Sequence, residues 1–575
     1  MDARGLRSRA AETVALITVR VGAQECALTP VVEVDGAVLS VSSPGARVVA
    51  AGARSLEVAW RGGVRARLRV RRDGAASVAT VEVSASRPVQ IDAVGVRIDG
   101  MPATRVLVDG FHSWDWAGVR DATVSGRGWW GGVLGGRLCI SLQAPPLLGP
   151  LLLRWNGEAV DALIVGAPGQ LAHLTAPPRG LGVTLRRGQT LRGDAVRIAR
   201  LSPRSEHGVG LPLLRARDHT PGPRIAGWMS WNCLGPTATA AGVLDAATTL
   251  VPPRGLALLD DGWMPHWGDW TERDDFDATL ADLAAAVHTS GRRFGLWLAP
   301  FMVDQESRTA STHAALLLRD PTGAPVVPER TPRPQHVLDA SHRATRASLG
   351  ALGRRLGRLR IDALKLDFLF AGALPGVRAQ GSDIAALRSG VAALVRGYRD
   401  TAPRGARVIA CGAPAAALVG LVDACRSGGD SVINVPAAGA TSPARPLFAH
   451  GEALLRSQVR NFAARAWLWG ATVPPDVDAV TLAAVGDMPS PSESYARNWL
   501  ELARLSGGPL LDADVPDSRV TPERLRMLGE AQQAVLGRPP RPMRTRDPLQ
   551  GDAVAHDDPD FHEWPEQLPP PWDQG

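Results

Sequence analysis

The chain changes rhythm near residue 220. Before that point, apolar residues recur at every second position in short runs such as 31–34 (VVEV), 55–60 (SLEVAW), 65–70 (RARLRV) and 79–83 (ATVEV). Gly, Pro and Asp separate the runs, and helical spacing is scarce. Alternation with a period of two, broken by turn residues, predicts an antiparallel β-sandwich over 1–215. Pro221-Gly222-Pro223 then interrupts the chain. Beyond it the order becomes apolar strand, loop, amphipathic helix. Eight strands are expected, over 225–231, 255–261, 294–300, 361–370, 407–414, 424–430, 466–471 and 509–514. The stretches 278–289 and 344–359 carry apolar residues at three- and four-residue spacing and are expected to be helices. Strand and helix in alternation argue for a parallel sheet, and eight such units for a (β/α)8 TIM barrel over 222–535. From 538 onward, Pro, Asp and Gln dominate; that composition buries little apolar surface and predicts a largely disordered tail over 538–575.

One strand carries charge where an apolar run is expected. In 364–369 (LKLDFL), Lys365 and Asp367 are two residues apart and therefore share a face. A buried charge is costly unless it is paired, hydrogen-bonded or used. In a parallel barrel the strand end is where chemistry is carried out. Other strand ends are also polar: Asp260 and Asp261 after the second, Cys411 after the fifth, Arg426 and Asp430 in the sixth. A single Asp at a strand end is most often a turn cap. Acids at three ends that a barrel gathers together are harder to explain that way.

Length and composition narrow the choice. The 575 residues exceed what a single core organises, which implies at least two domains. The net charge of +7 comes from scattered arginines and forms no basic stripe, so nucleic-acid binding is disfavoured. Five cysteines, widely spaced and without CxxC, suit neither a disulfide framework nor a zinc site. The first residues show no convincing signal-peptide core, and no apolar run approaches the roughly 20 residues of a membrane span. A cytoplasmic protein with neither cofactor nor metal is expected. Seventeen Trp against two Tyr is unusual, and indole faces suit both core packing and sugar rings. HExxH, GxSxG and P-loop signatures are missing, and no GxGxxG follows an expected strand.

Two carboxylates in one Trp-rich pocket suggest glycoside hydrolysis. Asp367 would be the nucleophile, kept ionised by Lys365. Asp430 would protonate the leaving oxygen and later deprotonate water.

The motifs GWMSWN (227–232), LLDDGW (258–263), FGLWLAPF (294–301), LKLDFLF (364–370) and CGAP (411–414) followed by GLVDACRSGGD (420–430) resemble the family of α-galactosidases that includes raffinose synthases. DGFHSWDW (109–116) is similar to the Trp-bearing segment of its N-terminal sandwich, and ELARLSGGPLLDAD (501–514) to its last barrel strand. The resemblance spans roughly residues 100 to 540. It implies a retaining α-glycosidase acting on α-galactoside oligosaccharides or glycoconjugates, with Asp367 as nucleophile and Asp430 as acid/base. It also implies that Asp260 and Asp261 bind sugar hydroxyls, that Lys365 and Arg426 contact substrate, and that Cys411, Trp297 and Trp228 wall the pocket. Three departures stand out, one being that 473–478 (VPPDVD) only partly matches the family's strand-seven region. Gly428-Gly429 replaces a bulkier approach to Asp430, which predicts a looser acid, and little sequence is left for a C-terminal β-domain. Transglycosylation to a sugar acceptor, or carbohydrate binding without turnover, are the competing readings; neither a nucleic-acid nor a membrane partner is expected, and a homo-oligomer is compatible with all three.

Overall fold

The computed structural model describes residues that fall between 17 and 121, between 151 and 200, and between 222 and 556, with gaps inside each span. The barrel strands are β1 Ala226–Met229, β2 Leu256–Leu259, β3 Arg293–Leu298, β4 Ala363–Leu366, β5 Arg407–Ala410, β6 Ala424–Arg426, β7 Pro475–Asp476 and β8 Leu510–Asp512. All neighbouring strands pair in parallel, in the order β7-β6-β5-β4-β3-β2-β1-β8. The ring closes just past β7, where Val480 bridges Asp512 in parallel and donates its backbone N–H to the Leu511 carbonyl at 2.8 Å.

Period-two alternation sorts the side chains. Ile225, Met229, Leu256, Leu258, Ala363, Ile409, Ala424 and Leu511 form the inner cluster. The intervening residues, among them Ala257, Leu259, Leu296, Leu364, Leu366 and Val408, face the helices and join a larger apolar layer. That layer is covered by α1 Ala240–Thr249, α2 Leu280–Thr289, α3 Arg343–Arg358, α4 Asp383–Arg399, α5 Glu493–Leu505 and α6 Pro522–Val535. Thr239, Thr279, Ser492 and Thr521 start four of these helices, their hydroxyls accepting a backbone N–H of the first turn. The Val residues of 473–480 stay buried although β7 itself is two residues long.

The N-terminal region forms two sheets. One has six strands, around 24–34 and 89–99; the other has ten, with 64–73 and 76–85 at its centre. Leu28, Val32 and Val94 of the first meet Leu56, Leu68 and Val81 of the second in one apolar core, which makes this a sandwich. It is not wholly antiparallel. Strand Leu151–Asn156 runs parallel to Arg105–Val108, and Ala159–Ile164 parallel to Ala195–Arg200.

One expectation fails. The seventh barrel strand lies at 475–476, whereas 466–471 falls outside the described residues. The C-terminal stretch is not structureless throughout, since Met543–Asp547 and Asp552–His556 pair as an antiparallel hairpin. Their alternating sequence, MRTRD and DAVAH, supports a strand ladder that the Pro-rich flanks had masked. Among the described residues no helix is long and apolar enough to cross a membrane, and no group of His, Cys, Asp and Glu is placed to hold a metal ion.

Candidate active site

Four strands deliver charge to the same mouth of the barrel. On β4, Lys365 points inward and its ammonium donates to Asp260 Oδ2, at the end of β2, at 2.8 Å. The two side chains are 5% and 3% exposed, so solvent screens the pair very little. Burial works against the ammonium, but Asp260 and then Asp367 outweigh it and hold Lys365 protonated well above its ordinary range. The other Asp260 oxygen accepts the Asp261 backbone N–H at 2.9 Å, and the Ser230 hydroxyl accepts the Asp260 N–H at 2.9 Å.

Asp367 follows Lys365 on the same face. The Trp297 indole donates to its Oδ2 at 3.0 Å and the Phe368 backbone N–H to its Oδ1 at 2.8 Å. Phe368 sits in the left-handed region at φ 50°, which turns the chain sharply out of β4 and brings its own N–H back onto the carboxylate. Asp261 aims elsewhere, as adjacent strand-end residues must. Its Oδ1 accepts the Trp267 indole N–H at 2.9 Å and the Gly262 N–H at 2.8 Å, and Arg333 lies 4.0 Å from Oδ2. Burial pushes the Asp261 carboxyl up to about 6, opposed by Trp267 and Arg333.

The rim is aromatic. Trp267 lies 5.2 Å from Trp297 and 4.8 Å from Phe368, centroid to centroid, and Phe368 lies 5.1 Å from Trp114. Trp114 comes from the N-terminal region: its indole donates to Cys411 Sγ at 3.2 Å, while the Ser113 N–H donates to the Ala413 carbonyl at 2.8 Å. The sandwich thus contributes a wall to the barrel mouth. Burial drives the Cys411 thiol well above its usual range, so it stays neutral.

On the far side, Arg426 is buried among three acids. It donates to Asp430 Oδ1 at 3.1 Å, lies 3.5 Å from Asp476 Oδ2, and bonds Asp478 Oδ1. Asp430 itself is partly open, its side chain 39% exposed. Burial, Asp478 and Asp367 push its carboxyl up to about 6 against the pull of Arg426. The Gly428-Gly429 approach is anchored. The Gly429 carbonyl accepts from Arg426 at 3.3 Å and from the Gln458 carboxamide, and a Cβ on Gly428 would run into that same carboxamide. Glycine is needed there so that Gln458 can reach the loop. Two side chains, those of Arg426 and Gln458, thus hold the Gly429 carbonyl next to Asp430.

The structure thus brings together Asp260, Asp261, Trp297, Lys365, Asp367, Cys411, Arg426 and Asp430. Trp228 does not join them. It is fully buried on the outer face of β1, where its indole donates to the Asp514 carbonyl at 2.7 Å. The alternation that turns Met229 inward turns residue 228 toward the helices. Trp231, just past the strand, is the indole that packs on the inner cluster. Asp476, Asp478, Trp114 and Trp267 are further site residues that sequence reasoning missed.

Residues 251–370 match the Melibiase family model. The chain is 31% identical over 141 residues to α-galactosidase 1 of Pediococcus pentosaceus, and 32% identical over 124 residues to an α-galactosidase of Lactobacillus acidophilus. Those stretches cover 21% and 20% of this chain but 18% and 16% of the two relatives, so the match spans less than a fifth of either. Among solved structures, the Thermus thermophilus α-galactosidase in complex with stachyose superimposes with a TM-score of 0.53 at 23% identity, covering 83% of this chain and 99% of that one. The Geobacillus stearothermophilus α-galactosidase AgaA variant in complex with raffinose gives 0.53 at 13% identity, over 88% and 74%. These two likenesses establish the fold: a (β/α)8 barrel behind an N-terminal β-sandwich.

Proposed function

We propose that this chain is a retaining α-galactosidase that cleaves terminal α-galactosyl residues from oligosaccharides by double displacement. The observation that carries the proposal is the pairing of roles at one mouth: Asp367 held by two N–H donors, opposite a partly open Asp430 whose carboxyl is pushed up to about 6. Asp367 attacks the anomeric carbon as the glycosidic C–O bond breaks, and Asp430 gives its proton to the departing oxygen. Glycosylation removes the negative charge from Asp367. Because that charge helps to raise the Asp430 carboxyl, its loss makes Asp430 a stronger acid and leaves it ionised. In the second half Asp430 takes a proton from water, which attacks the same carbon and releases Asp367. Asp260, Lys365, Asp261 and Arg426 supply acceptors and donors for the sugar hydroxyls, and Trp297 with Trp267 offers an indole face.

The local match of 251–370, which contains Asp260, Asp261, Trp297, Lys365 and Asp367, supports this substrate class. The test is hydrolysis of an aryl α-galactoside by the purified protein, with the anomer of the first-formed galactose read by proton NMR. The α-anomer is expected. A first-formed β-anomer would exclude the covalent route, and inertness toward every α- and β-glycoside would exclude the glycosidase reading.

A further inference from the structure

The end of β7 and the segment that follows it carry two acids, Asp476 and Asp478, for which the glycosidase reading has no use. Both are buried, 4% and 3% exposed, and both turn toward the sixth strand. Asp478 touches that strand on either side of Asp430. One oxygen bonds the Arg426 guanidinium, which in turn donates to Asp430; the other accepts the Ser431 backbone N–H at 2.6 Å. The Ser431 hydroxyl is tied to the same segment, donating to the Ala479 carbonyl at 2.7 Å. Asp476 completes the brace: its Oδ1 accepts the Asp478 N–H at 2.9 Å and its Oδ2 faces Arg426. Asp478 also holds a left-handed backbone at φ 74°, a conformation that Asp and Asn tolerate better than most residues.

We propose that Asp478 is the positioning residue of the candidate acid/base: it clamps Arg426 and Ser431, the neighbours of Asp430 on both sides, so that the Asp430 carboxyl is held at the barrel mouth with its proton available. The inference rests on the glycosidase reading for the identity of the reaction, but its geometry is independent of substrate. The groups that face Asp430 are Arg426 at the end of β6, Asp478 beyond β7, Lys365 on β4, Asp367 just past it, and Cys411 beyond β5. Two of these, Asp478 and Asp367, are anions, and Asp478 is the one that does not itself react. Its charge opposes ionisation of Asp430 and also occupies part of the Arg426 guanidinium. Removing that charge acts in one direction on both counts: Asp430 ionises more readily.

Asp478→Asn removes the charge and suits the left-handed backbone; its single carboxamide oxygen can still accept from Ser431 or from Arg426, though not from both. In the wild-type protein the 13C carboxyl signal of Asp430, assigned by its loss in Asp430→Asn, should titrate near pH 6. In Asp478→Asn it should titrate roughly one unit lower. If aryl α-galactosides are substrates, the alkaline limb of kcat should move down by the same amount. Asp478→Ala removes the clamp as well. Its kcat on a disaccharide, which has a poor leaving group, should fall about 100-fold, against less than about tenfold on an activated aryl galactoside. An Asp430 titration that does not move in Asp478→Asn overturns the proposal whether or not the protein proves to be a glycosidase. So do equal losses on the two substrates, the signature of general structural damage. A wild-type protein inert toward all glycosides, yet with a shifted titration, would leave the clamp standing and remove the reaction assigned to it.

Discussion

Replacing Lys365 by Met should destabilise the barrel strongly at neutral pH and less in acid. The Lys365 ammonium and Asp260 carboxylate are 2.8 Å apart, and both side chains are almost wholly buried. Breaking such a pair from one side leaves an uncompensated charge inside the protein, at a cost of about 3–5 kcal/mol. Burial raises the Asp260 carboxyl and Lys365 pulls it back, so in Lys365→Met burial and the Asp367 charge are opposed only by the Asp261 N–H and the carboxyl is pushed further up. The sign then follows. In the variant, the folded state binds a proton that the unfolded chain releases above about pH 4, so stability is regained as pH falls through the raised value. That recovery is at most about 1.4 kcal/mol per pH unit. The wild-type contribution of Lys365, whose pKa is raised, is fully present below the ordinary lysine range and is lost only at higher pH. Between pH 5 and 8 it is constant, and the pH dependence of the difference belongs to Asp260. Denaturant midpoints followed by Trp fluorescence at several pH values give the comparison. A loss below about 1 kcal/mol at pH 7, or one that does not shrink on acidification, would refute the buried-pair argument. Lys365→Arg is the companion variant: it keeps the charge but forces a larger planar group into a packed site, at about 1–3 kcal/mol.

Further outcomes follow from the site. Asp367→Ala should abolish turnover of an aryl α-galactoside while circular dichroism stays that of the wild type; retained turnover would remove the nucleophile. Asp430→Ala should lower kcat about 100-fold or more on a disaccharide but far less on an activated aryl galactoside, since only the former needs a proton on the departing oxygen. Trp228→Phe should leave KM unchanged and cost about 1–3 kcal/mol of stability, because the buried Asp514 carbonyl loses its donor; a raised KM would return Trp228 to the sugar pocket. Gly428→Ala should displace Gln458, release the Gly429 carbonyl and lower kcat on poor leaving groups, an effect absent if the loop is held by something else.

The parts of the site that sequence revealed are those where strand periodicity runs into charge. Lys365 and Asp367 interrupt an apolar run at a spacing of two, and the structure places both on the inner face of β4. Composition strengthens the signal further: Lys365 is the single lysine among 64 basic residues. Whatever bias favours arginine elsewhere is overridden at this position. There a compact ammonium reaches Asp260 inside the barrel at 2.8 Å. What stayed hidden has equally physical causes. Strand β7 has two residues and begins at a proline, so it carries no apolar run to recognise, and 473–478 matches the family's strand-seven region only in part. The more apolar stretch 466–471 attracted the strand assignment instead. Trp228 and Trp231 lie three residues apart at the end of β1, and choosing between them requires the phase of the alternation. The inner cluster fixes that phase through Ile225 and Met229. Trp114 sits 297 residues from Cys411, and nothing local to either residue announces their contact.

The charges of this barrel mouth form two separate balances, and their difference matches the roles assigned to them. On the β2–β4 side Asp260 and Lys365 pair one to one, and Asp367 has neutral N–H donors instead of a cation in direct contact. A carboxylate held by neutral donors has no lone pair tied up in a salt bridge, which suits the attack on carbon proposed for it. On the β6–β7 side one guanidinium serves three carboxylates, Asp430, Asp476 and Asp478. Three anions around one cation leave an excess of negative charge, and the excess falls on the group most able to take up a proton: Asp430, the most exposed of the three at 39% against 6% and 3% for the others. The proposed proton donor lies where acids crowd one guanidinium, and the proposed nucleophile lies where the ammonium is engaged by Asp260 and the second carboxylate is held by N–H donors.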